Sequence, residues 1–158
     1  MKVKLSVGKL PYSSYLNLDP LPIIEEDKRD QFNIIKDFNA INSIENASCT
    51  EILVENAIHY ININHMVETI DSWITKLRHN GKIIINGTNL ESIVKQYLNG
   101  QLTTLDFNVF IYGYNKDLPN YTSCVCIDEI EEVLVRAGLN IVHKQFIDTE
   151  FTITGQRP

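Results

Sequence analysis

Cysteine, positive charge and long apolar runs are all scarce in this chain of 158 residues, and each scarcity removes a class of function. The three cysteines, Cys49, Cys124 and Cys126, lack the paired C-x-x-C or mixed Cys/His spacing of a zinc site, so no metal is expected. Cys124 and Cys126 fall two apart in an expected strand, on one face, and the three read as free buried thiols. Fourteen Lys and Arg against twenty Asp and Glu leave a formal charge of −6. No basic face can form for phosphate neutralisation, so a nucleic-acid partner is not expected. No segment reads as a signal peptide or is long enough to span a bilayer, which points to a soluble cytoplasmic protein without a membrane partner. Sequons at Asn46, Asn86 and Asn120 carry no weight without a secretory signal.

What remains is ordinary globular material. Hydrophobic residues make up 44% of the chain, enough for one domain, residues 1–158, with a proper core. Lys2–Val7 alternates and is rich in β-formers, Gly8 breaks it, and Tyr15–Leu18 begins a second short run that stops at Asp19. Pro20-Leu21-Pro22 makes a rigid exit. Ile24–Gln31 reads as a short solvated helix or loop, Phe32–Lys36 as a third strand ended by Asp37, and Asn39–Ser48 as a loop or single helical turn. Glu51–Val54 suits a strand buried on both faces. Met66, Ile70, Trp73, Ile74 and Leu77 then recur on one helical face, with Arg78 and His79 in the last turn and Asn80-Gly81 as the stop.

Lys82–Asn86 follows as a strand, which makes a βαβ unit with parallel strands. Thr88 or Asn89 can cap a helix whose face is Leu90, Ile93, Val94, Tyr97 and Leu98. Gln101–Tyr121 is a looser, aromatic-rich region. A last helix with face Ile127, Ile130, Val133, Leu134 and Ala137 ends at Gly138. Asn140–Gln145 and Glu150–Thr154 are then close enough for an antiparallel hairpin at the sheet edge. The expected fold class is α/β: a Rossmann-like three-layer sandwich with a mostly parallel seven-stranded sheet and an antiparallel terminal strand.

Leu5-Ser-Val-Gly8, Tyr15-Leu-Asn-Leu-Asp19, Glu51-Ile-Leu-Val-Glu-Asn-Ala-Ile-His-Tyr60, Leu77-Arg-His-Asn-Gly-Lys-Ile83, Ile111-Tyr-Gly113 and Ala137-Gly-Leu139 occur in that order. Together they resemble the small class I S-adenosylmethionine-dependent methyltransferases of the type 11 kind. In those proteins the pieces run L-x-L-G-C-G, G-Y-I-N-L-D, D-E-I-x-A-x-H-V-L-E-H, L-K-P-G-G-x-L, I-Y-G and A-G-F. Ser6 is set against the first glycine of that pattern, Asn56 against its first His, and His59-Tyr60 against its Glu-His pair.

The resemblance implies S-adenosylmethionine as a small-molecule cofactor and an unidentified methyl acceptor. By position, Ser6, Val7 and Gly8 line the methionine side, Asp19 takes the ribose hydroxyls, and Asp37 with Phe38 lies at the adenine. Glu55 and Asn56 face the cleft near the reacting methyl. His59 is the one candidate general base, because imidazole titrates near neutrality; a structural histidine is the rival reading. For Asp19 and Asp37 the rival is strand-end turn chemistry. Two functions stay open: a methyltransferase, and a catalytically inactive methyltransferase-like binding or structural protein. A nicotinamide dehydrogenase is a distant third, since G-x-G-x-x-G is absent. A homo-oligomer stays open.

Overall fold

The computed structural model of the chain describes residues 1–21, 32–34, 38–113 and 117–158; the expected helix or loop at 24–31, Asp37 and Tyr114 lie outside them. The strands are β1 (Lys2–Ser6), β2 (Leu16–Asp19), β3 (Phe32–Ile34), β4 (Cys49–Glu55), β5 (Leu77–Thr88), β6 (Asn140–Ile147) and β7 (Glu150–Gln156). They form one sheet in the order β3-β2-β1-β4-β5-β7-β6. β1 to β5 pair in parallel, and β7 runs antiparallel to both β5 and β6. The hairpin therefore inserts its second strand between β5 and β6 and leaves β6 at the edge. The helices are α1 (Met66–Lys76), α2 (Leu90–Leu98), α3 (Thr104–Tyr112) and α4 (Ile127–Arg136).

Strand register sorts the side chains into two unlike faces. Val3, Leu5, Leu16, Leu18, Ile52, Val54, Ile83, Ile85, Phe151 and Ile153 share one face. Ile70, Trp73 and Ile74 of α1 and Ile127, Ile130 and Leu134 of α4 join them in a single buried cluster. Trp73 is fully buried, and its indole N–H donates to the Phe38 carbonyl (3.3 Å) in the 3-10 turn Phe38–Ser43. Each such aliphatic or aromatic side chain contributes about 1.5–3 kcal/mol by leaving water.

The opposite face carries Lys2, Lys4, Ser6, Asn17, Asp19, Glu51, Glu55, Lys82 and Asn86, with only Leu53 and Ile84, both half-buried, as apolar members of β4 and β5. Among the described residues no helix packs on it. β1 and β2 are parallel neighbours joined by residues 7–15, fewer than the dozen or so that a helical crossover needs. That segment is a strap with no helix of its own. The third layer expected from the sequence is, over β1, this strap.

Several local expectations are corrected. α1 ends at Lys76, because Leu77 turns extended and pairs with Cys49, so Arg78 and His79 belong to β5. Asn80 takes a left-handed φ of 59° inside that strand, where its N–H meets the Arg157 carbonyl. In α2 only Ile93 is buried, since the helix lies past the end of β5 and packs on α3. The region expected to be loose contains α3, closed at its start by reciprocal Thr103 and Asp106 bonds. Its sequence hides it because apolar residues lie all round the helix and none is buried. Cys124 and Cys126 flank a single bridge of Val125 to Asn89 instead of lying in a strand, and Cys126 caps α4.

The one-sided sheet makes a direct prediction. Ile52→Ala should cost about 3 kcal/mol in urea unfolding, whereas Leu53→Ala, next along β4 but on the other face, should cost about 1. Equal losses would show a second core.

Candidate functional site

In an open sheet of parallel strands, ligands settle at the carboxyl ends of the strands where the chain order reverses. Here that point lies between β1 and β4. A cavity of about 200 Å³ opens there, lined by Val7, Gly8 and Lys9 of the strap and by Asn56 and Tyr60 after β4. Gly113, Leu118, Pro119 and Tyr121 form the far wall. A larger hollow of about 440 Å³ lies between Asp71, Thr75, Gly138 and Arg157, away from every residue expected at the cofactor.

Local geometry explains the cleft. Gly8 has φ 63°, a left-handed turn that lets the strap fold back directly off β1. Ser6 is a strand residue, fully buried, and its hydroxyl donates to Asp19 at 3.4 Å; it is not part of the turn. Asn56 is also left-handed, at φ 54°, a conformation Asn tolerates. Its N–H donates to the Asn86 side chain at 3.0 Å, which bends the chain away from β4.

Asp19, the expected ribose acceptor, is fully buried beneath the strap. It accepts from the Leu21 N–H at 2.8 Å and from Ser6, and the backbone amides of Gly8 and Lys9 lie close enough to favour its charged form. Burial raises its pKa above the usual carboxylate range, and those donors oppose the rise. Phe38 is buried in the core, edge-on to Trp73 with ring centroids 6.4 Å apart. Glu55 turns to the polar face, where Lys4 Nζ lies 2.5 Å from Oε2, off the angle of a good hydrogen bond, and the Tyr12 hydroxyl donates to Oε1 at 3.2 Å. Of the residues expected at the cofactor, Val7, Gly8 and Asn56 line the cleft. Ser6 and Asp19 hold its floor from below, and Asp37 lies outside the described residues.

His59 is a structural pin. It is 2% exposed, Nε2 accepts from the Thr88 N–H at 2.8 Å, and Nδ1 donates to the Ser123 carbonyl at 3.4 Å. Its own carbonyl accepts from the N–H groups of Thr122 and Ser123. A Cβ on Gly87 would lie 2.7 Å from Nε2, so only glycine lets β5 pass this close. Burial lowers the imidazole pKa to about 4. With both nitrogens committed, His59 has no lone pair to offer as a base.

Lys9, Tyr60 and Tyr121 also line the cleft, and none of the three was expected at the cofactor, although Tyr60 closes one of the resemblance motifs. Tyr60 and Tyr121 meet edge to face at 5.1 Å, and Tyr121 lies over His59 at 4.9 Å. No spacing rule brings residues so far apart in the chain together. Lys4 was not foreseen either, although the alternation Lys2, Lys4, Ser6 marks a polar face of β1.

An S-adenosylmethionine-type cofactor meets a mixed fit. The cleft lies where such a ligand belongs, with a glycine turn and Asn56 at its edge. The volume, however, is below the roughly 300–1,000 Å³ of most ligand pockets, and Asp19 presents no free oxygen to it.

The chain has the class I methyltransferase fold. It superposes on an S-adenosylmethionine-dependent methyltransferase from Archaeoglobus fulgidus with a TM-score of 0.60, 10% identity and coverage of 99% of this chain and 86% of the other. A possible histamine N-methyltransferase from Thermotoga maritima gives 0.61, 11% identity and coverage of 99% and 82%. A complex between the Haloferax volcanii Trm112 methyltransferase activator and a protein described as a putative methyltransferase gives 0.65, 12% identity and coverage of 99% and 82%. No family model and no curated protein matches the chain.

The pinned histidine predicts a pH dependence. Its pKa is lower folded than unfolded, so its stabilisation is complete above about pH 6.5 and is lost as pH falls toward 4. At about 1.36 kcal/mol per unit the loss is roughly 3 kcal/mol. The stability advantage of the wild type over His59→Gln, measured by urea unfolding, should shrink by that amount across the window. A constant difference would mean that His59 is not buried neutral.

Proposed function

We propose that the protein binds S-adenosylmethionine in the β1–β4 cleft and transfers its methyl group to an unidentified acceptor, as a small type 11-like methyltransferase. One observation carries the reading: a cleft edged by the Gly8 turn and Asn56 sits at the switch point of a sheet in which antiparallel β7 separates β5 from β6. An ordinary dinucleotide fold continues with parallel strands there. When bound, the cofactor supplies an electrophilic sulfonium methyl for in-line displacement.

The chain's own contribution is binding and orientation. Val7, Gly8 and Asn56 border the methionine portion, and Lys9 stands at the rim with Tyr60. Asp19 and Ser6 act through the strap, by holding the Gly8 and Lys9 amides, instead of touching the ribose directly. Phe38 serves the core and not the adenine, and Glu55 shapes the cleft through its neighbour Asn56.

The second reading, a binding domain without turnover, is favoured by the state of the acid–base groups. His59 has both nitrogens occupied, Asp19 is buried with its donors, and Glu55 is held by Lys4 and Tyr12.

Calorimetric titration with S-adenosylmethionine and S-adenosylhomocysteine should show micromolar binding and a raised melting temperature, worth about 2.7 kcal/mol at a hundredfold excess over Kd. Gly8→Val places a β-branched residue at positive φ in the lining and should abolish the shift. No shift at millimolar ligand would overturn the cofactor reading. Binding without transfer to any acceptor tested supports the second reading.

A further inference from the structure

Among the described residues, Lys4 has the most unusual surroundings. It projects from the middle of β1 onto the polar face, where a lysine would ordinarily reach water, yet it is fully buried. Its Nζ lies 2.5 Å from Glu55 Oε2, donates to the Leu10 carbonyl at 2.6 Å, and sits 3.8 Å from the centroid of the Tyr12 ring. An ammonium group has three donors and no acceptor, and a carboxylate, a carbonyl and a π-face are three partners that suit it.

Two of those partners, Leu10 and Tyr12, belong to the strap, and the third ends β4 immediately before Asn56. Tyr12 closes the circuit through its hydroxyl bond to Glu55. Asn17 clamps the same tyrosine from below, accepting from its N–H and donating to its carbonyl, both at 2.9 Å. Lys4 thus touches both walls of the cleft from behind: the strap that carries Gly8 and Lys9, and the β4 terminus that carries Asn56.

We infer that Lys4 is a positioning residue for the ligand cleft: it latches the strap to the end of β4 and sets the spacing of the two walls. The effect on the cofactor rests on the reading proposed above; the latch does not. A compact ammonium on a flexible stem fits beneath the strap, whereas a planar guanidinium fork needs more width. Substitution by methionine keeps the apolar stem and removes every polar contact.

Amide hydrogen exchange on the ligand-free protein tests the latch. In Lys4→Met the Gly8, Lys9 and Tyr12 amides should exchange on the order of tenfold faster, while Ile52, Val54, Ile83 and Ile85 in the central strands keep their rates. Tyr12→Phe retains Lys4 and the ring but loses the hydroxyl bond to Glu55, and should accelerate the same strap amides by a smaller factor. If Lys4→Met does not fold, this second variant decides. Strap amides at wild-type rates, or an equal rise in strap and central strands, would overturn the latch.

Titration with S-adenosylhomocysteine then separates the latch from its effect on the ligand. Wild type that binds, with Lys4→Met about tenfold weaker, supports positioning; unchanged affinity in a variant with a loosened strap overturns it. Wild type that fails to bind overturns the cofactor reading alone, and the exchange rates still decide for or against the latch.

Discussion

The structure depends on how a short connection can hold two parallel strands side by side without a helix. Residues 7–15 cannot form the usual crossover helix and so bring no apolar stripe to cover β1. Side-chain hydrogen bonds hold the connection instead. Asp19 holds the Gly8 and Lys9 amides, Asn17 holds Tyr12 and Tyr15, and Lys4 holds Leu10 and Tyr12. Each of these groups is buried and partnered, and a buried polar group is tolerated only on that condition.

This constraint divides the sheet. The face under α1 and α4 carries the apolar core and most of the stability. The other face gives up apolar burial for polar order and places that order directly behind the cleft. Polar networks of this kind add little net energy, but they allow few alternative arrangements. A strap held in one position is what a cleft wall made of backbone requires. His59 serves a similar end on the far side, tying the turn after β4 to β5 and to residues 122–123.

The elements with strong one-face periodicity were legible in the chain. α1 and α4 are marked by their spaced Ile, Leu and Trp residues, and β1, β2 and the final hairpin by alternation and turn residues. α3 was not legible, because Leu105, Phe107, Val109, Phe110 and Ile111 point in all directions and no face stands out. The end of α1 was misplaced because Asn80-Gly81 resembles a helix stop, whereas Leu77 is already drawn into pairing with Cys49.

Within the site, Gly8 was identified from local pattern, since a glycine turn carries its conformational reason in its own residue type, whereas Asn56 was expected only through the resemblance; both line the cleft. Asp19 was recognised as special but its partner was not. Whether a carboxylate faces a ligand or its own chain depends on what folds over it, and the strap's path is set by Lys4 and Asn17 acting across strands. His59 shows the same limit: imidazole chemistry marks it as a base, but the Thr88 and Ser123 contacts that occupy both nitrogens come from residues 29 and 64 positions away. Sequence by itself determined the elements with a clear one-face period, the polar character of one face of β1 and the glycine turn, because these follow from residue type and spacing. Only the tertiary structure decided which polar groups stay available to a ligand, because availability depends on partners that folding brings in from elsewhere in the chain.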